Sequence, residues 1–334
     1  MKLSIIITHY KESESQAYNS LSSIDIQKNI DFNDFEVIIV NDAGPKEMLL
    51  SEDFLNSFKN IKPKYLIKET NTGPGDARNY GIEHSTGDYI CFVDCEDCFA
   101  SIYALSMFNE MIHPAMQDVA VTQWVTPTKI NNKWEYPVQE FAPAWVFGWF
   151  YRRAFLDLHN IRFPTYKIWN EEWAVNGKVL VLTDRIQQIP FITYSWTHDN
   201  NAPTSITTVD GHSYNFRITP SWITVQEELL DWKKKVCKLN DTDPLVITLQ
   251  IYAMMNSFAW DRPESLPYKE RTEEIISWFI NKWDYMISTV GIKEKSLINA
   301  QISSRMERMP DETFDSWYKR LKEKQVSKKP ELLL

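Results

Sequence analysis

At 334 residues the chain can bury a large core, as one long domain or two smaller ones. A net charge of −9 argues against wholesale nucleic-acid binding and leaves only a local basic patch open to it. Met1-Lys2 runs straight into Leu3-Ser4-Ile5-Ile6-Ile7, too short and early for a signal peptide. No apolar stretch approaches the roughly 18 residues of a transmembrane helix, so a cytoplasmic protein is expected.

The first hundred residues repeat strand, loop and helix. Leu3–Thr8 reads as an apolar strand, followed by the polar loop His9-Tyr10-Lys11-Glu12-Ser13. A helix is predicted from Ala17 to about Ile26, with Leu21 and Ile24 on one face. Phe35–Val40 is a second strand, ending in Asn41-Asp42-Ala43-Gly44, and Tyr65–Lys68 a weaker third. The turn formers Asn71-Thr72-Gly73-Pro74-Gly75 introduce a helix over Asp76–His84. This alternation implies an α/β fold with a mainly parallel sheet and helices on both faces. Ligands of such sheets bind beyond the carboxyl ends of the strands. Tyr10 and Glu12, Asp42, and Asp94 to Asp97 are therefore expected to converge on one site.

The fourth strand carries the strongest chemical signal. In Gly87-Asp88-Tyr89-Ile90-Cys91-Phe92-Val93-Asp94-Cys95-Glu96-Asp97-Cys98 an apolar run ends in three carboxylates. Acids packed at a strand end repel one another unless a cation sits between them. A hard divalent cation with oxygen ligands is the simplest answer, and it implies a partner with charge to neutralise, most often a di- or triphosphate. Cys91, Cys95 and Cys98 also match the C-x3-C-x2-C spacing of radical-SAM iron–sulfur enzymes. Placement of Cys91 inside the apolar run and the acidic loop beyond it argue for reduced thiols instead.

From Trp145 to Thr207 the pattern is mixed: Phe150–Leu156, then Asn170-Glu171-Glu172-Trp173, then Ile192–Trp196. After about Gly211 it turns helical, with Trp222, Val225, Leu229 and Trp232, and later Ile275, Ile276, Phe279, Trp283 and Ile287, at helical spacing. Asp243-Pro244 reads as an N-cap with proline at the first helical position. Two domains are expected, 1–210 and a helical module 211–334 for acceptor binding or homo-oligomerisation, its basic tail (Lys319, Arg320, Lys322, Lys324, Lys328, Lys329) read as a solvated helix face.

Four blocks in this order resemble the family 2 glycosyltransferases of the GT-A (Rossmann-like) fold. They are Ser4–Glu12, Glu36–Asp42, Asn71–Ile82 continuing through Gly87–Asp97, and Asn170-Glu171-Glu172-Trp173. The resemblance covers about residues 1 to 207, and it implies an inverting transferase that uses a nucleotide-sugar, most simply a UDP-sugar, with Mn2+ or Mg2+. In the family a D-x-D motif holds the cation. Here Asp94-Cys95-Glu96 occupies it, with Asp97 as an alternative ligand to Glu96. Asp42 resembles the acid that bonds the uracil or ribose, Tyr10 the residue stacking near the base, and Glu12 a second base or ribose contact. Thr8 and Cys95 line the nucleotide, while Asp76, Arg78 and Asn79 open a helix toward it, Arg78 pairing either with Asp94 or with phosphate.

The acidic pair supplies the catalytic base, which takes the acceptor proton; the resemblance implies Glu172, with Glu171 second. His198 stands where relatives bring a late loop, ending here at Ser205-Ile206-Thr207, over the diphosphate, as a metal or phosphate contact. Trp145, Trp149 and Trp173 are read as core first and as a sugar-stacking wall second. A nucleotidyltransferase shares the strand-then-acids logic but calls for a glycine-rich loop that His9–Glu12 lacks. A non-catalytic nucleotide-sugar scaffold is the other alternative, kept open by glutamate at positions 96 and 172. The acceptor implied is a carbohydrate, with a flipped hydroxymethylated base of phage-type DNA second.

Overall fold

The computed structural model describes residues 2–112, 116–131, 133–166, 168, 170–197 and 211–241, with isolated positions beyond. The chain divides into two units, Met1–Val209 and Asp210–Leu334. The first unit begins with β1 (Leu3–His9), α1 (Glu14–Asp25), β2 (Phe35–Asn41), the single turn α2 (Glu52–Leu55) and β3 (Lys64–Ile67). It continues through α3 (Pro74–Glu83), β4 (Tyr89–Asp94), β5 (Cys98–Phe99), α4 (Ala104–Met111) and β6 (Val119–Val125). A hairpin, β7 (Thr128–Ile130) with β8 (Lys133–Glu135), and the short β9 (Val138–Gln139) precede β10 (Trp149–Arg152), α5 (Arg153–Leu158), α6 (Glu171–Leu182) and β11 (Ile186–Ser195).

Helix starts lie a few residues earlier than the apolar pattern places them, because capping decides them. Ser13 and Gln16 form a reciprocal capping box that starts α1 at Glu14. Gly73, at φ 101°, and Pro74 at the first turn start α3 ahead of Asp76. The helix lies close on the sheet: a Cβ on Gly81 would stand 2.4 Å from Cγ2 of Ile6.

Among the described residues the main sheet has nine strands, ordered β3-β2-β1-β4-β10-β6-β11-β5, with β9 paired to the end of β6. The first four are parallel, and the apolar runs of β1, β2 and β4, such as Ile5, Ile6 and Ile7, are buried on both faces. The second half is mixed rather than parallel. β10 runs antiparallel to both β4 and β6, while β11 is parallel to β6 and antiparallel to β5. The reason is the connection: β6 leads into a hairpin rather than a helix, so the chain returns antiparallel. The carboxyl ends of β1, β2, β4, β6 and β11 therefore share one edge, and the register sets Thr8 beside both Val40 and Asp94.

In the second unit α7 (Gly211–Cys237) carries Val225 and Leu229 as buried positions and Trp232 half-buried. The apolar series at 275–287 and the basic tail fall almost wholly outside the described residues. Among the described residues no helix is long and apolar enough to cross a membrane.

Candidate active site

Where β2 and β3 end, Asp42 is 4% exposed and saturated with donors. It accepts from Lys68 Nζ at 2.6 Å, from Gly73 N at 2.7 Å and from Thr72 N at 3.2 Å. The Lys68 ammonium also bonds Asp76 at 2.7 Å and the Thr72 hydroxyl. Burial acts to raise the Asp76 carboxyl, but hydrogen bonds from Lys68 and Thr72 outweigh it and hold it below its usual range. Lys68 is absent from the candidates read in the sequence. Its signal was a lone cation at the carboxyl end of the weakest strand.

The loop after β1 is shaped by Glu12, whose Oε2 accepts from Tyr10 N at 2.6 Å and Lys11 N at 3.1 Å. His9 is not part of this loop but the last, buried residue of β1. Its Nε2 lies 2.9 Å from the Glu12 carbonyl and its Nδ1 lies 2.6 Å from Asn41 Nδ2. Ligand-type atoms of His9, Glu12 and Cys95 fall within 4.8 Å of one another, yet these hydrogen bonds already occupy both His9 nitrogens.

The three acids after β4 are not equivalent. Asp94 Oδ1 accepts from Arg78 at 3.0 Å and from the Thr8 hydroxyl at 3.4 Å. Asp97, 1% exposed, spends both oxygens inside the protein: Oδ2 on the Tyr194 hydroxyl at 2.5 Å, Oδ1 on Thr197 N at 2.6 Å. Among the described residues no hydrogen bond from another residue occupies the Glu96 carboxylate. Burial, then the charges of Asp94 and Glu12, push that carboxyl up to about 8. Cys95 is fully enclosed between them, and burial above all keeps its thiol protonated. Asp94 and Glu96 thus offer hard oxygen donors, a set that fits Mn2+ or Mg2+. His198 and the loop through Thr207 lie outside the described residues.

Helix α6 opens with the acid pair. Its N-cap, Asn170, is left-handed at φ 63° and gives no side-chain cap, so Glu171 and Glu172 complement the helix start. Both are buried, at 4% and 8% exposure. Arg78, itself 2% exposed, places NH1 at 2.6 Å from Glu171, and NH2 at 3.0 Å from Asp94 and 3.5 Å from Glu172. Of the partners read for Arg78 in the sequence, the structure places Asp94 beside it, together with Glu171 and Glu172. Burial acts against the charged form of Arg78, but Glu172, Asp94 and Glu171 outweigh it and hold the guanidinium ionised. Burial raises the carboxyl of Glu172, Glu171 adds to the rise, and Arg78 opposes it. Glu171 is raised chiefly by burial, against the same guanidinium.

Helix α3 fixes this arrangement from below. Asn79 donates to the Phe163 carbonyl at 2.9 Å and accepts from Phe163 N at 3.0 Å. A Cβ on Gly75 would come within 2.9 Å of the Pro164 carbonyl oxygen and 3.1 Å of Glu171 Cγ. Of the three tryptophans, Trp149 is wholly core, at 0% exposure. Trp145 is half-buried and stacks on Phe147, which stacks on Tyr194 at 4.6 Å; Trp173 is half-buried.

The curled sheet flanked by helices has the GT-A fold. Residues 4–169 match the model of glycosyl transferase family 2. The fold resembles the crystal structure of TarS from S. aureus, with a TM-score of 0.63 at 20% identity, covering 97% of this chain and 55% of that one. TarS 1-349 in complex with UDP-GlcNAc superposes with a TM-score of 0.61 at 18% identity, covering 98% and 92%. In sequence, the amylovoran biosynthesis glycosyltransferase AmsB of Erwinia amylovora is 32% identical over 29% of this chain and 31% of its own length. The poly(ribitol-phosphate) beta-N-acetylglucosaminyltransferase TarS of Staphylococcus aureus is 32% identical over 29% of this chain and 16% of its own. The similarity thus spans less than a third of either relative.

Proposed function

We propose that the chain is an inverting, metal-dependent glycosyltransferase that moves a sugar from a UDP-sugar to a hydroxyl of a carbohydrate acceptor. The observation that carries the reading is the buried Glu172, set by Arg78 across from Asp94. Asp94 and Glu96 would hold a Mn2+ or Mg2+, which would supply positive charge to stabilise the leaving diphosphate. Asp97 is left out of the ligand set because its oxygens hold Tyr194 and Thr197. Asp42, locked with Lys68 and Asp76, forms a preassembled polar floor for ribose and base, and Tyr10 supplies an aromatic face above it.

Glu171 is spent on Arg78 at 2.6 Å, which leaves Glu172, at the longer 3.5 Å, to act as base. It takes the acceptor proton as the hydroxyl oxygen attacks the anomeric carbon from the face opposite the diphosphate. Burial has already raised this carboxyl, which suits it to proton transfer near neutrality. The relatives' names, amylovoran biosynthesis and poly(ribitol-phosphate) glycosylation, support an acceptor of saccharide or polyol kind.

The test is hydrolysis and transfer with UDP-glucose, UDP-galactose and UDP-N-acetylglucosamine in the presence of Mn2+ and of EDTA. Mass spectrometry of glycan and DNA acceptors reads transfer, and NMR of the product anomer reads inversion. Mn2+-dependent turnover lost in both Asp94→Ala and Glu172→Gln supports the reading. Absence of turnover with every donor favours a nucleotide-sugar scaffold and overturns it.

A further inference from the structure

Arg78 is the one cation among the described residues that touches both acidic ends of the site. Its guanidinium faces three acidic side chains, more partners than its two terminal nitrogens can serve equally. The two terminal nitrogens divide the work unequally. NH1 is committed to Glu171 at 2.6 Å, while NH2 is shared between Asp94 at 3.0 Å and Glu172 at 3.5 Å. The second of these is beyond good hydrogen-bonding distance.

We propose that Arg78 is a positioning residue that couples cation capture at Asp94 to the setting of Glu172. A cation taken up by Asp94 repels the guanidinium NH2 and claims the oxygen it holds. NH2 then turns to Glu172, its remaining partner, and fixes that carboxylate in place. NH1 stays on Glu171 and acts as the pivot. The surroundings permit a small rotation and little else. Phe163 lies under the guanidinium, 5.4 Å from its centre, and Asn79 on the next residue of α3 pins the Phe163 backbone. The base is thereby oriented only when the diphosphate-neutralising cation is present.

The inference rests on the glycosyltransferase reading, and its test separates the two. Arg78→Met and Arg78→Lys are compared with the wild-type protein by Mn2+ titration followed by electron paramagnetic resonance, by thermal unfolding, and by steady-state kinetics with the best UDP-sugar. Removing a positive charge beside Asp94 makes Mn2+ binding in Arg78→Met tighter, by about threefold or more. Turnover falls about a hundredfold as the base loses its orientation, with donor KM nearly unchanged. Arg78→Lys keeps the charge but cannot serve two ends, so its Mn2+ affinity stays near wild type and turnover drops about tenfold. Should Arg78→Met not fold, the lysine variant carries the same comparison. Mn2+ affinity and turnover falling in parallel would mean that Arg78 supports the metal–diphosphate directly, and would overturn the proposal, as would wild-type turnover in either folded variant. If the wild-type protein itself binds no Mn2+ and turns over no donor, the functional reading fails first and the coupling falls with it.

Discussion

The two acidic ends of the site are delivered by different physics. Asp94 arrives by register: β4 is hydrogen-bonded along β1, and Thr8 fixes the level at which the acid emerges. Glu171 and Glu172 arrive by anchorage, on a helix whose N-cap makes no side-chain bond and whose acids are held by one guanidinium from α3. Backbone register tolerates side-chain change, whereas an anchored acid pair depends on a few atoms. A substitution at the first end should therefore cost chemistry alone, and one at the second should cost chemistry and alter the proton balance of the fold.

The largest expected effect is at the register end. Asp94→Ala should lower Mn2+-dependent UDP-sugar turnover by about a thousandfold or more while unfolding close to the wild-type temperature. A large drop in that temperature would break the distinction. At the anchored end, Glu172→Gln should reduce turnover by about a hundredfold to a thousandfold. In the wild type the base must be ionised and its carboxyl is raised, so the rate should climb with pH on a limb above the ordinary glutamate range. The folded protein also holds that proton more tightly than the unfolded chain. Its contribution to stability is full below the ordinary glutamate pKa and declines as pH rises through the raised one, a decline that Glu172→Gln should flatten in denaturant titrations. A rate limb in the ordinary glutamate range would remove burial as the tuning force.

A smaller effect sharpens the picture of the nucleotide floor. Lys68→Met leaves Asp42 and Asp76 facing each other without a cation, and UDP affinity measured by calorimetry should weaken about tenfold with kcat nearly unchanged. The smallest change tests the bond from β11 to the acidic turn after β4. Tyr194→Phe removes one of the two donors to the buried Asp97 and should lower stability by about 1–3 kcal/mol, with Mn2+ affinity little altered. Loss of metal binding there would place Asp97 in the ligand set after all.

Much of the first half was legible in the sequence because its signals are local. Apolar runs of strand length, Gly73-Pro74 at a helix start, and acids following Val93 each declare themselves within a few residues. The antiparallel entry of β10 was not legible, because it follows a hairpin of three-residue strands and the two-residue β9, of which β8 and β9 are exposed. Choosing between Glu96 and Asp97 was also out of reach. The sequence presents two adjacent acids, and what separates them is Tyr194, whose position beside them is set only by the pairing of β11 with β5 and β6. Lys68 escaped for a similar reason, since a lysine after a strand usually faces solvent, and only Asp42 and Asp76 together draw it in.

The bonds that satisfy Asp97 come from residues 97 and 100 positions further along the chain. During synthesis, then, the acidic edge is made long before the groups that quiet it, and a nascent chain ending where the family match ends, at residue 169, still lacks them. Contacts of such sequence separation form late and slowly. The acidic edge should accordingly be the last part of the sheet to mature, and residues 4–169 alone make an incomplete folding unit.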